Sequence, residues 1–273
     1  MDNQDILYEH WKKEQKLFTD CLSKLKNRLS TKNIHDIRVA IKKLRAYYKL
    51  SSLVQSQPET EAYLNKTNTF FKILGRQREI EICIELTTRH EKESHHSFPF
   101  WRNQLIHLLK TTKGWTKQVL PQHNTKELSI IGLLLKQKIN LTPGKIIEEK
   151  LESIINELLT ENKKIEKDPH TLRKRLKEVY YWIPLSDFDE AIKTFHQTAL
   201  HEILNDLGNW QDSEILLTRV KHFRKDYLSK AFEDNRIIKE FEVTIKNKQK
   251  FLLQDATYKI RKWLKEINEK SGG

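Results

Sequence analysis

Apolar residues recur every three or four positions through most of this chain, the spacing that gathers side chains on one face of an α-helix. Ile6, Trp11, Phe18, Leu22, Leu25 and Leu29 supply the inward face of a first helix over 5–29. A second helix spans 33–53, with Ile34, Ile37, Ile41, Leu44 and Tyr48 as its packing stripe. Pro58 marks the next start, and a helix through Tyr63, Phe70 and Ile73 is expected to stop at Gly75. Another begins near Gln77 and fades in a polar run at 90–97, which reads as a loop. Helices at 98–120, closed by Pro121, and at 126–139, closed by Pro143-Gly144, complete the first half. The second half replays the order at 146–159, 169–183, 188–207 and 210–227, before a long last helix at 235–267.

The polar positions carry a repeat. His35-Asp36-Ile37-Arg38-Val39-Ala40-Ile41-Lys42 is answered by His170-Thr171-Leu172-Arg173-Lys174-Arg175-Leu176-Lys177. Leu74-Gly75, followed by Arg78-Glu79, is answered by Leu207-Gly208, followed by Gln211-Asp212. Two blocks in the same order and at nearly the same separation point to an internal duplication. On the first motif helix His35, Arg38, Lys42, Arg45 and Lys49 form one ridge, and Asp36 is the sole acid from Lys32 to Lys49. The second keeps His170, Arg173 and Lys177, then turns aromatic at Tyr180 and Tyr181, with Leu172, Leu176, Val179 and Ile183 packing inward.

Like charges along one helix ridge repel, so a ridge of this kind implies an anion to bind. Asp168-Pro169 reads as an N-cap with proline at the first helical position, and Asn33 reads as a weaker cap. Both histidines then fall in a first helical turn, where free backbone N–H groups favour anions. Cations one and two turns further on extend that site into a track suited to a linear polyanion. Glu79 and Asp212 read as acids at helix starts that complement the dipole.

The H-x-x-R-V-x-x-K-K-L-R string from His35 to Arg45, its degenerate second copy and the L-G-x-x-R-E element at 74–79 resemble the CHAD domain, over essentially the whole chain. That resemblance implies an all-α fold of two pseudo-symmetric four-helix-bundle-like halves, here 1–140 and 141–273, with additional long helices. It also implies binding of inorganic polyphosphate in a basic groove or pore and association with polyphosphate granules. The matching positions are His35, Arg38, Lys42, Lys43, Arg45 and Arg78 in the first half, and His170, Arg173, Lys174 and Lys177 in the second. Lys49 joins them through the ridge. Gln211 stands where the second copy would carry an arginine and Glu178 falls opposite Lys43, which makes the second half the weaker expected binder.

Net charge changes the picture only in the same direction: +13, with a pI near 9.5, suits anionic partners. Two cysteines, Cys21 and Cys83, are too few for a disulfide scaffold and read as core residues of a cytoplasmic protein. No export signal opens the sequence and no segment is long and apolar enough to span a bilayer. The histidines at 90–96, 196 and 201 lack metal-ligand spacing, and no cofactor is implied. Trp101, Trp115, Trp182, Trp210 and Trp263 sit at helical spacings with aliphatics and read as core.

No catalytic set emerges, since phosphoryl transfer calls for acids that hold a metal and the motif helices are poor in acids. The reading is a binder. Other linear polyanions, nucleic acid among them, are the alternative, and an enzyme working through a phosphorylated His35 or His170 is a third. With the lysines and arginines charged between about pH 5.5 and 8, binding is expected to tighten as pH falls through the histidine range, and His35→Gln with His170→Gln to flatten that slope, the other nine histidines also contributing.

Overall fold

The computed structural model describes residues 3–54, 58–120, 125–138, 143–160, 167–227 and 233–271, and the first half of the boundary expected at 140–145 falls outside them. Among the described residues there are nine α-helices and no strand. They are α1 (Asn3–Asn27), α2 (Thr31–Val54), α3 (Pro58–Ser94), α4 (Pro99–Val119), α5 (Lys126–Lys138), α6 (Pro143–Thr160), α7 (Pro169–Trp182), α8 (Glu190–Tyr227) and α9 (Glu233–Ser271). A 3₁₀ turn at Ile183–Leu185 closes α7.

One core cluster draws on helices from along the whole chain. It runs from Leu7 and Trp11 of α1 through the α2 and α7 stripes to Ile260 and Trp263 of α9. Ile34, Ile37, Ile41, Leu44, Leu176 and Ile183 are all fully buried within it, as the apolar period requires. A second cluster joins Ile80 and Cys83 of α3, Phe98, Trp101 and Leu105 near α4, Val220 of α8 and Phe241 of α9. The three long helices α3, α8 and α9 each cross both clusters. The expected breaks at Gly75 and Gly208 are absent for that reason: packing of about ten turns on two cores outweighs the roughly 1 kcal/mol that a mid-helix glycine costs. Neither glycine has a left-handed backbone.

Two further expectations change. The run at 90–97 is helical as far as Ser94, with His90 stacked on Phe98 and Phe241, and the chain turns only at His95, whose φ is 58°. Trp115 is 43% exposed, under the guanidinium of Arg76 at 5.7 Å. Trp101, Trp182, Trp210 and Trp263 are buried as expected, as are both cysteines.

Ser30, not Asn33, caps α2, accepting a hydrogen bond from the Asn33 backbone N–H at 3.1 Å. Asn33 turns back and donates to the Arg28 carbonyl at 3.1 Å, satisfying the end of α1. His35 therefore lies in the second turn of its helix, while His170 keeps the first-turn position behind the Asp168 cap, which accepts from Thr171 N at 3.0 Å. Trp182 Nε1 donates to the carbonyl of Ala46 at 2.8 Å, fastening α7 to α2.

Candidate anion-binding site

With their stripes in the core, α2 and α7 aim their cationic ridges at α3 and α8. Phe71 of α3 is the platform on the first side. The guanidinium of Arg38 lies 4.1 Å from its ring centroid, that of Arg45 5.2 Å and the ammonium of Lys42 6.0 Å. Arg38 Nη1 also donates to the Phe71 carbonyl at 2.7 Å. Gly75 makes that bond possible, since a Cβ there would stand 2.7 Å from Nη1. The same arrangement is looser on the second side, where a Cβ at Gly208 would stand 3.6 Å from Arg173 Nη2. Lys177 lies 5.8 Å from the ring of Tyr181. Arg173 Nε is buried without a hydrogen-bond partner.

Crowding of like charge shows in the titration behaviour. Burial pushes Lys42 down to about 6, reinforced by Lys177, Arg38 and Arg173 and opposed only by Asp212. Lys177 falls to about 8 through burial and then Arg173 and Arg38. Arg38 falls to about 10, chiefly through burial, and Arg173 is lowered for the same reason. His35 is lowered by burial and by Arg78. Among the described residues no carboxylate forms an ion pair with Arg38, Lys42, Arg173 or Lys177. The result is a cleft in which these cations outnumber the acids that face them, Asp212 and Glu79.

Lys42 holds its proton less tightly folded than unfolded, so folding in the absence of an anion releases a proton. Stability supplied by this group rises with pH from about 6 toward the ordinary lysine range. Asp212 acts in the opposite sense: burial holds its folded carboxyl above the usual range, so its contribution falls as pH rises through the carboxylate region.

The structure thus brings together His35, Arg38, Lys42, Arg78, Arg173 and Lys177, with Arg45 at the edge over Phe71. It does not bring in the rest. Lys43 is tied to the buried Glu14 at 2.7 Å. Lys49 pairs with Glu178 at 2.5 Å across the α2–α7 seam. His170 faces Glu214 at 2.6 Å with its ring against Trp210. Lys174 is exposed on α7. Arg78, which does face the cleft, also spans toward Glu81 and Glu85 at 4.0 and 3.9 Å.

The CHAD domain family model matches residues 16–221. The chain belongs to the CHAD domain family. This CHAD domain is similar in fold to the crystal structure of the CHAD domain from the plant Ricinus communis, with a TM-score of 0.74 at 12% identity, over 94% of this chain and 91% of that one. Identity that low establishes the shared helical fold alone. No curated protein matches the chain.

Asp212 and Glu79 are the residues of this CHAD domain whose place the sequence misreads. With α3 and α8 continuous, neither stands at a helix start. Asp212 faces Arg173, Arg78 and Lys42 as an acid inside the cationic cleft, and Glu79 accepts a hydrogen bond from Arg219 at 3.1 Å. Their matched positions after each Leu-Gly pair are the signal that could have placed them there. Phe71 carries no such signal.

The two glycines differ in a testable way. Gly75→Ala must displace Arg38, losing a charge-assisted bond of about 1.5–3 kcal/mol against a helix gain of about 1 kcal/mol. The variant is expected to be less stable by about 1 kcal/mol and to bind anions about tenfold less tightly. Gly208→Ala meets only ordinary contact, so it should gain about 0.5–1 kcal/mol with affinity unchanged. Denaturant unfolding and a binding isotherm of each variant check both, and equal behaviour would show that Gly75 does not seat Arg38.

Proposed function

We propose that this CHAD domain binds inorganic polyphosphate, without catalysis, in the cleft between α2 and α7. The observation that carries the reading is the set of partly buried cations, Arg38 and Lys42 from one helix with Arg173 and Lys177 from the other, left without paired acids. A fold does not bury unpaired charge for stability, because desolvation of such groups opposes folding. An anion in the cleft supplies the missing partner. A chain of phosphates suits the elongated arrangement, in which Arg45 and Arg78 continue the track beyond the central four. No helix among the described residues is long and apolar enough to cross a membrane, and association with polyphosphate granules in the cytoplasm fits such a binder. Competition among polyphosphate, RNA and DNA of matched charge tests the reading: displacement of bound polyphosphate by RNA or DNA at equal charge concentration would replace it with a general polyanion binder.

The pH dependence separates the groups. A bound polyanion favours each charged form, so binding draws protons onto Lys42, Lys177 and His35, and affinity is expected to tighten as pH falls from about 8.5 to 5.5. The expectation that the lysines stay charged throughout this window does not hold here. Lys42→Arg with Lys177→Arg should bind more tightly at about pH 8.5 and show a shallower slope, because arginine keeps its charge there. His35→Gln with His170→Gln should leave most of the slope, since Glu214 already faces His170. Identical slopes for the parent and the double arginine variant would remove the lysines from the linkage.

A further inference from the structure

Lys42 combines three properties that lysines on the outer faces of these helices lack. Its amine is partly buried at 6.0 Å from the Phe71 ring, beside the guanidinium of Arg38 on the same ring. No acid among the described residues forms an ion pair with it. The groups that face it from the other elements are Lys177 and Arg173 of α7 and Asp212 of α8, with Arg78 of α3 and His35 of its own helix near by. A small phosphorylated molecule entering this cleft meets guanidinium groups that can hold its phosphate and an amine that can attack it.

We propose that Lys42 is a modification site, a nucleophilic amine that takes the acyl group of small acyl phosphates docked on Arg38 and Arg173. The Nζ lone pair attacks the acyl carbonyl carbon, forming a C–N bond. The bond from that carbon to the phosphate oxygen breaks, and inorganic phosphate leaves. The amine proton released on amide formation passes to the departing phosphate, so the step needs no oxidant and no further reactant. The product carries a neutral amide where the cleft had a cation. That a modified protein binds polyphosphate less well rests on the proposed function above, whereas the acylation itself does not.

Magnitudes favour the reaction. At pH 7.5 an ordinary lysine is a free amine at roughly one part in a thousand, whereas burial and three neighbouring cations hold Lys42 near 6 and leave it mostly unprotonated. Lower basicity weakens a nucleophile. With a Brønsted dependence like that of thiolates, about 0.4–0.5, the loss is about a hundredfold, leaving a net gain of several-fold before any docking. Docking of the phosphate raises the effective concentration, while its charge, like that of a bound polyanion, favours the protonated amine and offsets part of that gain.

The test exposes the full chain to acetyl phosphate at pH 7.5 and follows each lysine by peptide mass spectrometry. Lys42 should acetylate at least tenfold faster than the exposed Lys246 and Lys250 of α9. With acetic anhydride, which has no phosphate to dock, that advantage should shrink to a few-fold. Arg173→Gln should slow the acetyl phosphate reaction more than the anhydride reaction. A Lys42 rate at or below that of the exposed lysines overturns the proposal, and an equal advantage with both reagents overturns the docking step. Added inorganic polyphosphate should protect Lys42. Fast acetylation without protection leaves the nucleophile standing and counts against polyphosphate binding, so the two readings fail separately.

Discussion

Arg173→Gln with Lys177→Gln is expected to weaken binding of long-chain polyphosphate by about two orders of magnitude at physiological salt, at about 1.5 kcal/mol for each charge-assisted contact removed. The motif lengths in the sequence favour a larger loss from the first helix. The structure levels the two helices, because Lys49 is engaged by Glu178 and Lys43 by Glu14, which leaves Arg38 and Lys42 facing Arg173 and Lys177. Lys42→Gln with Arg38→Gln should therefore cause a loss of comparable size, with some added destabilisation, since Arg38 also holds the Phe71 carbonyl. Salt provides the second readout. If five cations of the cleft contact phosphate, affinity should fall about a hundredfold between 50 and 200 mM salt, and each cation removed should reduce the logarithmic slope by about 0.7. Fluorescence anisotropy across a salt series, with circular dichroism to confirm intact helix, measures both. A dissociation constant that hardly moves with salt, or with loss of Arg173 and Lys177, would exclude ionic binding in this cleft.

Trp182→Ala is expected to destabilise the domain by about 3–5 kcal/mol, through the cavity left by a fully enclosed indole. Trp182 is 2% exposed and its Nε1 donates to the Ala46 carbonyl at 2.8 Å, so it sets the approach of the two motif helices. Trp182→Phe keeps most of the volume and loses the hydrogen bond, at about 1–1.5 kcal/mol. The alanine variant should also bind polyphosphate less tightly under conditions where it remains folded, because the cations of α2 and α7 act together only while the helices keep their spacing. Urea unfolding, with polyphosphate binding measured well below the transition, tests both parts. A cost under about 1 kcal/mol, below the range for a buried tryptophan, would mean the seam does not depend on this residue.

The helical class and the inward faces were legible because they rest on local periodicity. Ile34, Ile37, Ile41 and Leu44, and Leu172, Leu176, Val179 and Ile183, form the buried stripes that their spacing implies. Capping was legible where one residue decides it, at Asp168, and misread where two candidates compete, at Ser30 and Asn33. Gly75 and Gly208 show the limit of local reasoning. A glycine within an apolar helical pattern reads as a stop, but it can equally be the point where a side chain from another helix passes close. Which role it has depends on a helix distant in sequence, and for Gly75 the visitor is Arg38.

The candidate site divides along the same line. Residue types and their order along α2 and α7 determine that each helix carries an apolar stripe beside a basic ridge, since a helix fixes the angles between its own side chains. That much, and the resemblance to the CHAD domain, can be read from the sequence by itself. Which cations remain without an acid was decided only by tertiary structure. Glu14, Glu178 and Glu214 reach Lys43, Lys49 and His170, while Asp212, read from sequence as a helix-start acid, ends up inside the cleft. The depressed titration of Lys42 and Lys177 was equally out of reach. It arises from desolvation and from cations of two helices brought into one cleft, and neither burial nor distance between helices is a local property of the chain.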